Sequence, residues 1–189
     1  QKISDLVRIG RDNDGGYLVD KRSIVASDFL LGLGVYDDWS FEKGFIKYVD
    51  VPVVAFDASI GQNFFFKKLR IALSRGSRKS LYWFRVWIDY LRFFKGNNKH
   101  IKKFIGNDKK DHHVSINTIA NEIVPLNIKN IFFKIDIEGS EYQILDDLIA
   151  ISGRICGLVI EFHEVDLNLE KIESFVKIFP LKICHIHCN

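Results

Sequence analysis

The chain has no methionine, only three cysteines among 189 residues, and no long uninterrupted apolar run. Each absence excludes something. A membrane-spanning helix needs about 18 or more consecutive apolar residues, so no transmembrane segment is expected. The first residues, QKISDLVRIGRDNDGGY, are too polar for a secretory leader, and the expectation is a cytoplasmic protein. Cys156, Cys184 and Cys188 are odd in number and lack a secreted spacing pattern. That argues against a disulfide scaffold and for reduced thiols. The missing methionine, with Gln1 at the start, predicts a segment of a longer chain. What is present is ordinary for a folded domain: 47% hydrophobic and 27% charged residues, which disfavours disorder or a fibre. The length suits a single domain over 1–189.

The net charge of +3 conceals an asymmetry. Between Phe64 and Phe104 there are twelve Lys or Arg against one acid, Asp89, so the remainder of the chain is net acidic. The same stretch holds eleven of the aromatic residues and reads as a basic aromatic insertion at about 64–104. Within it Trp83, Trp87, Leu91 and Phe94 share one helical face and Arg85, Asp89 and Arg92 lie opposite. Such a helix packs on the core, caps a substrate site, or touches an anionic membrane or lipid-linked acceptor. Nucleic acid is disfavoured, because the cations lack any base-reading motif and the body is acidic.

Short runs rich in Val, Ile, Leu and Phe, at 28–34, 51–57, 130–136, 157–163 and 181–187, are apolar on both faces. They predict strands of a covered parallel sheet. Helical periodicity lies between them at 38–48, 117–124, 141–150 and 169–178. Alternation of this kind predicts an α/β fold with a mostly parallel, twisted sheet and helices on both faces, and ligands beyond the carboxyl ends of the strands. GLGVYDD, FDAS, DIEGSE and EFHE all fall there.

In LLGLGVYDDWSFE (30–42), Gly32 and Gly34 form a G-x-G after a strand, and Asp57 closes the next strand at a ribose-holding position. The third glycine of a dinucleotide loop is missing, with Asp37 in its place and Asp38 following. Two acids at a helix start repel a pyrophosphate, although plain helix capping explains either one alone. A cofactor with a ribose, a positive charge and no phosphate suits this loop. In FFKIDIEGSEYQIL (132–145), Asp136 continues a buried strand, whereas Glu141 reads as a first-turn acid that complements the helix dipole. DNDGGY (12–17) is turn chemistry before a short strand.

Taken in order, RIGRDNDGGYLV, LLGLGVYDDWSFE, VVAFDAS, FFKIDIEGSEYQIL, LVIEFHEVD and HIHCN resemble the FkbM-like S-adenosylmethionine-dependent methyltransferases. The likeness is strongest to the branch with a D-G-G-Y opening and a D-D-x-S-F-E loop. Its most specific element is KIDIEGSEYQIL, similar to the family's K-I-D-x-E-G-x-E-x-x-x-L signature. The resemblance implies a Rossmann-like class I methyltransferase fold with S-adenosylmethionine as cofactor. It also implies O-methylation of a saccharide or similar small acceptor, in glycan modification or a related pathway. Gly32, Gly34, Asp38, Asp57 and Asp136 are then the cofactor-binding candidates.

Methyl transfer to a hydroxyl needs the reactants positioned and one proton removed. The catalytic candidates are Asp136, Glu138 and His163, the last flanked by Glu161 and Glu164. A divalent metal ion is the alternative to a base, with Asp136, His163 and His187 as ligands from three strand ends. Zinc on CHIHC (184–188) is disfavoured, because in a strand Cys184 and Cys188 face away from His185 and His187. His112 and His113 could stand over an adenine, or simply occupy a solvated loop. Two other functions share these features: a NAD-type oxidoreductase, and a non-catalytic module that binds a membrane or polyanion.

Overall fold

The computed structural model describes residues 5–12, 15–106 and 111–187. An antiparallel hairpin comes first, β1 (Leu6–Ile9) with β2 (Tyr17–Asp20). Helix α1 (Lys21–Val25) follows directly, its start capped by the Asp20 carboxylate, which accepts from the Arg22 N–H. Then come β3 (Phe29–Leu33), α2 (Ser40–Phe45), β4 (Val53–Phe56), α3 (Gln62–Ser74), α4 (Lys79–Phe93) and β5 (Asn98–Ile101). A two-residue parallel pair, β6 (Phe104–Ile105) and β7 (His113–Val114), precedes α5 (Ile116–Thr118), which continues into a π turn, Ile119–Ile123. The chain ends with β8 (Ile131–Ile135), α6 (Leu145–Ala150), β9 (Ile155–Ile160) and α7 (Val165–Ile178).

The central sheet runs β5-β4-β3-β8-β9, and every pairing is parallel. The chain steps outward from β3 to β5, then returns to build β8 and β9 on the other side of β3. At that reversal the loops after β3 and β8 leave in opposite directions and open a crevice, as in Rossmann-like folds.

The strand sequences explain the two covered faces. Alternate residues of a pleated strand point to opposite sides. Phe29, Leu31 and Leu33 of β3 and Ile131, Phe133 and Ile135 of β8 join one core, with Leu145, Leu148 and Phe175 from α6 and α7. Leu30, Val53, Ala55 and Phe132 enter the other, with Phe41 and Phe45 of α2 and Val86, Tyr90 and Phe93 of α4. Among the described residues no helix is long and apolar enough to cross a membrane.

Two expectations change. The run at 181–187 forms no strand: residues 182–187 are irregular, and Ile183 and Ile186 are exposed. Alternating apolar residues make a strand only where a neighbour completes the ladder, and among the described residues none pairs with this segment. The basic stretch 64–104 is built into the sheet: it forms most of the crossover from β4, contains α3 and α4, and supplies the edge strand β5. Within α4 the buried face is Val86, Tyr90 and Phe93, with Trp83, Trp87 and Phe94 beside it, while Leu91 is exposed. The helix carries two apolar arcs, and only one of them meets the sheet.

Phe132 sits where β8 meets α2, with its ring centroid 4.8 Å from Phe45 and 6.2 Å from Phe41. Phe132→Ala is expected to cost about 3–5 kcal/mol in urea unfolding, the range for deleting a buried phenyl ring. A loss under ~1 kcal/mol would contradict this packing.

Candidate functional site

A cleft of about 510 Å³ opens at the carboxyl ends of β3, β4 and β8, within the usual range for small-molecule sites. Five carboxylates line it, Asp37, Asp38, Asp57, Asp136 and Glu138, against three cations, Arg11, Lys103 and Lys134. Its apolar wall includes Phe56, Phe104 and Ile105.

The loop after β3 is held by its own acids. Asp38 accepts from the Ser40 N–H at 2.9 Å and pairs with Arg11 at 3.0 Å, while Asp37 accepts from the Tyr82 hydroxyl of α4 at 2.7 Å. Asp57 gathers four donors. One oxygen takes the N–H groups of Val35 and Tyr36, at 3.2 and 2.8 Å, and the other takes the Ser59 N–H and hydroxyl, at 2.8 and 2.5 Å. A carboxylate offers about four lone-pair sites, so Asp57 ties the loops after β3 and β4 together. His100 steadies the same strand end. One imidazole nitrogen lies 2.9 Å from the Asp57 carbonyl and the other 2.8 Å from the Tyr90 hydroxyl.

Packing alone requires both glycines of the G-x-G, and Gly34 also lines the cleft. A Cβ on Gly34, at φ +78°, would lie 1.7 Å from the Asp136 carbonyl oxygen; one on Gly32 would lie 2.5 Å from Glu42 Oε1. Gly34 therefore lets the β3 and β8 loops touch, and Gly32 makes room for Glu42. That glutamate is fully buried, and neither of its oxygens has a hydrogen-bond partner among the described residues. Burial pushes its pKa up to about 7; Lys134 opposes the rise, and Asp38 and Asp136 add to it.

One residue beyond β8, Asp136 is locked by a buried lysine. Lys134 donates to Asp136 Oδ2 at 3.1 Å and to the Gly34 carbonyl at 2.8 Å. Tyr17 of β2 reaches the same place, donating to Glu161 Oε2 at 2.6 Å and lying 3.5 Å from Asp136 Oδ2. His163, three residues past β9, faces this group. Its Nε2 lies 4.0 Å from Asp136 Oδ1 and 3.6 Å from Glu138 Oε2, and its Nδ1 lies 3.0 Å from Glu141 Oε1.

Glu141 is fully buried, and Oε1 also receives the N–H groups of Ile137 and Gly139, at 3.1 and 3.3 Å. An oxygen already accepting two amide protons is the acceptor, so Nδ1 of His163 carries the proton. In the neutral imidazole the Nε2 lone pair then points toward Asp136 and Glu138. Burial lowers the pKa of His163, but the bond to Glu141 and the charges of Glu141, Glu138 and Asp136 outweigh it, and the net shift is upward.

Asp136, Glu138 and His163 each offer a ligand atom, all within 4.8 Å of one another, a mixed N/O set of the kind that holds a divalent ion. His187 is not part of this group. With no final strand, it lies on the exposed terminal segment, its ring stacked on His185 at 6.2 Å. Glu138 lines the cleft beside His163. His113 does line the cleft, while Asn13, Asp14 and Cys188 lie outside the described residues. Four residues escaped the sequence reading: Lys134, Tyr17, Glu42 and the orienting role of Glu141. All four stand in the quoted motifs, Tyr17 in DNDGGY, Glu42 in LLGLGVYDDWSFE, and Lys134 and Glu141 in FFKIDIEGSEYQIL, but their contacts depend on the fold.

Comparison of the chain with protein-family models, curated proteins and solved structures finds no match in any of the three. The fold and site define an α/β, Rossmann-like domain with an acidic cleft at the switch point of its sheet.

Glu42 gives a pH test. Its folded pKa of about 7 exceeds the ordinary 4.5, so its contribution favours the fold fully below 4.5 and is lost as pH rises through about 7. Glu42→Gln, which cannot ionise, should match the wild type in acid and become more stable than it by about 3 kcal/mol above the raised pKa. Urea unfolding of both proteins across this pH range checks it. A pH-independent difference would contradict the burial of an ionisable carboxyl there.

Proposed function

We propose that the chain is an S-adenosylmethionine-dependent O-methyltransferase acting on a hydroxyl of a saccharide or similar small acceptor. The observation that carries this reading is His163: oriented by buried Glu141, it turns Nε2 toward Asp136 and Glu138, which line an acidic cleft at the sheet's switch point. The excess of carboxylates in the cleft suits a cofactor with a sulfonium and an ammonium group and no phosphate. Asp37 and Asp38 stand where a dinucleotide's pyrophosphate would need free amide donors. Phe56, Phe104 and Ile105 offer an apolar wall for an adenine. Asp57 fits a ribose only by exchange, because its lone-pair sites are filled; the Ser59 hydroxyl is the donor most readily replaced.

The cofactor supplies an activated methyl group with a neutral leaving group. His163 Nε2 would take the proton of the acceptor hydroxyl. Glu141 holds the imidazole in the tautomer this requires and stabilises the imidazolium that results. Asp136, held by Lys134, contributes the field of its carboxylate rather than acting as the base. If a divalent ion occupies Asp136, Glu138 and His163 instead, it lowers the acceptor's pKa and His163 is a ligand.

Calorimetric titration is expected to show saturable binding of S-adenosylhomocysteine and none of NAD, and the reverse result would overturn the reading. His163→Ala and Asp136→Ala should each keep S-adenosylhomocysteine binding. His163→Ala should slow methyl transfer, to an acceptor found in a saccharide panel, by roughly 10²–10⁴ fold, and Asp136→Ala, which leaves the base in place, should slow it less. Wild-type rates in both variants would place the catalytic group elsewhere. Loss of activity in EDTA, restored by a divalent ion, selects the metal version over the base.

A further inference from the structure

The helical hairpin α3–α4 presents a second apolar surface that the fold does not use. Its inner side is buried through Phe65, Leu69 and Ala72 of α3 and Val86, Tyr90 and Phe93 of α4. On the outer side of α4, Leu81, Phe84, Ile88 and Leu91 recur at the spacing of one helical stripe. Leu81, Phe84 and Leu91 are 55%, 46% and 37% exposed, and Ile88 is half-buried but belongs to neither core.

The stripe continues onto α3. Phe66 is 51% exposed and rests against Trp87, with ring centroids 5.6 Å apart. Because the helices run antiparallel with equal rise, this contact sets Leu73, 61% exposed, level with the first turn of α4.

Cations border the stripe. Arg78, Arg85 and Arg92 repeat every seventh residue and so lie in one row along α4. Lys67 and Arg70 of α3 and Arg75 and Lys79 at the hairpin turn add to them. Among the described residues none of these seven has a carboxylate within ion-pair distance. The hairpin's one acid, Asp89, is taken by Lys43 of α2 at 2.5 Å.

We propose that this face docks on an anionic phospholipid bilayer, with the Leu81–Leu91 stripe, Phe66 and Leu73 in the interface and the arginine row at the phosphates. A bilayer presents both partners in the required order, hydrocarbon beneath a layer of negative charge. Nucleic acid would engage the cations and leave the aliphatic stripe in water. A second copy of the chain would set two strongly basic faces together. The hairpin also adjoins the cleft, through Tyr82 on Asp37 and through Phe64, whose ring lies 5.8 Å from that of Tyr36. Docking therefore brings the site to the membrane surface, where a lipid-linked acceptor would be.

Co-sedimentation of the chain with vesicles tests this without cofactor or acceptor, and so independently of the proposed activity. Binding to phosphatidylcholine vesicles containing phosphatidylserine is expected to exceed binding to phosphatidylcholine alone by about tenfold or more, and to weaken in high salt. The double variant Leu81→Glu, Phe84→Glu should lose binding. Arg85→Glu, Arg92→Glu should lose the phosphatidylserine preference, and Leu126→Glu, an exposed apolar site outside the hairpin, should change nothing. Unchanged far-UV dichroism shows that a variant is folded; if the leucine–phenylalanine pair unfolds, the arginine pair decides. The proposal is overturned by absent binding, by equal binding to both vesicles, or by full binding of the folded variants. It is equally overturned if a duplex oligonucleotide binds and vesicles do not, or if the stripe instead holds a dimer in solution that vesicles do not compete for.

Discussion

A carboxylate with no solvent contact ties together the two strand ends that make the site. Glu141 is fully buried, and a buried charge is costly unless its hydrogen bonds are met. All of its bonds fall on Oε1, which takes two amides from the β8 loop and His163 from the β9 loop, while Oε2 has no partner among the described residues. The loop must curl for both amides to reach one oxygen, and it does so with Glu138 at φ +54° and Gly139 at φ +93°. The curl carries Glu138 toward Nε2, and the bond to Nδ1 decides which face of the imidazole is left for chemistry. Orientation, tautomer and neighbouring charge thus follow from one buried group.

A second charge network supports the first from beneath. Lys134 lies within a strand whose other residues are apolar, yet its ammonium reaches both the Gly34 carbonyl and Asp136. It bridges the two loops that part at the switch point, and its positive charge partly offsets buried Glu42. Tyr17 closes the arrangement from the N-terminal hairpin by spanning Asp136 and Glu161. The acids at this sheet edge are therefore held apart and oriented by one lysine, one tyrosine and one histidine, which is how so much negative charge is tolerated at the end of a buried strand.

The architecture was legible where burial on both faces leaves an unmistakable run, as in FLLGL and IFFKI, because such runs have no other stable home than a covered sheet. The run LKICHIH has a similar composition and forms no strand, since a neighbour's ladder is not written in local composition; His187 was misplaced with it. In α4 two apolar arcs gave a face that the sheet only partly buries. Asp136 and His163 could be placed at strand ends by counting. The role of Glu141 could not, because an acid in a first helical turn looks the same whether it serves the helix dipole or an imidazole across the site. That Gly34 also lets the β3 and β8 loops touch is not written locally, because their approach depends on topology. Lys134 opens the motif KIDIEGSEYQIL, yet nothing local says that its ammonium reaches Gly34 and Asp136.

The central claim is that Glu141 fixes His163 with its proton on Nδ1. Nitrogen NMR of imidazole-labelled protein, with the His163 signal identified by its absence in His163→Gln, reads the tautomer directly once the ring is neutral. The account predicts the Nδ1–H form in the wild type and a mixture of both forms in Glu141→Gln. A wild-type ring in the Nε2–H form would contradict it, because the nitrogen facing Asp136 and Glu138 would then have no lone pair to offer a proton or a metal.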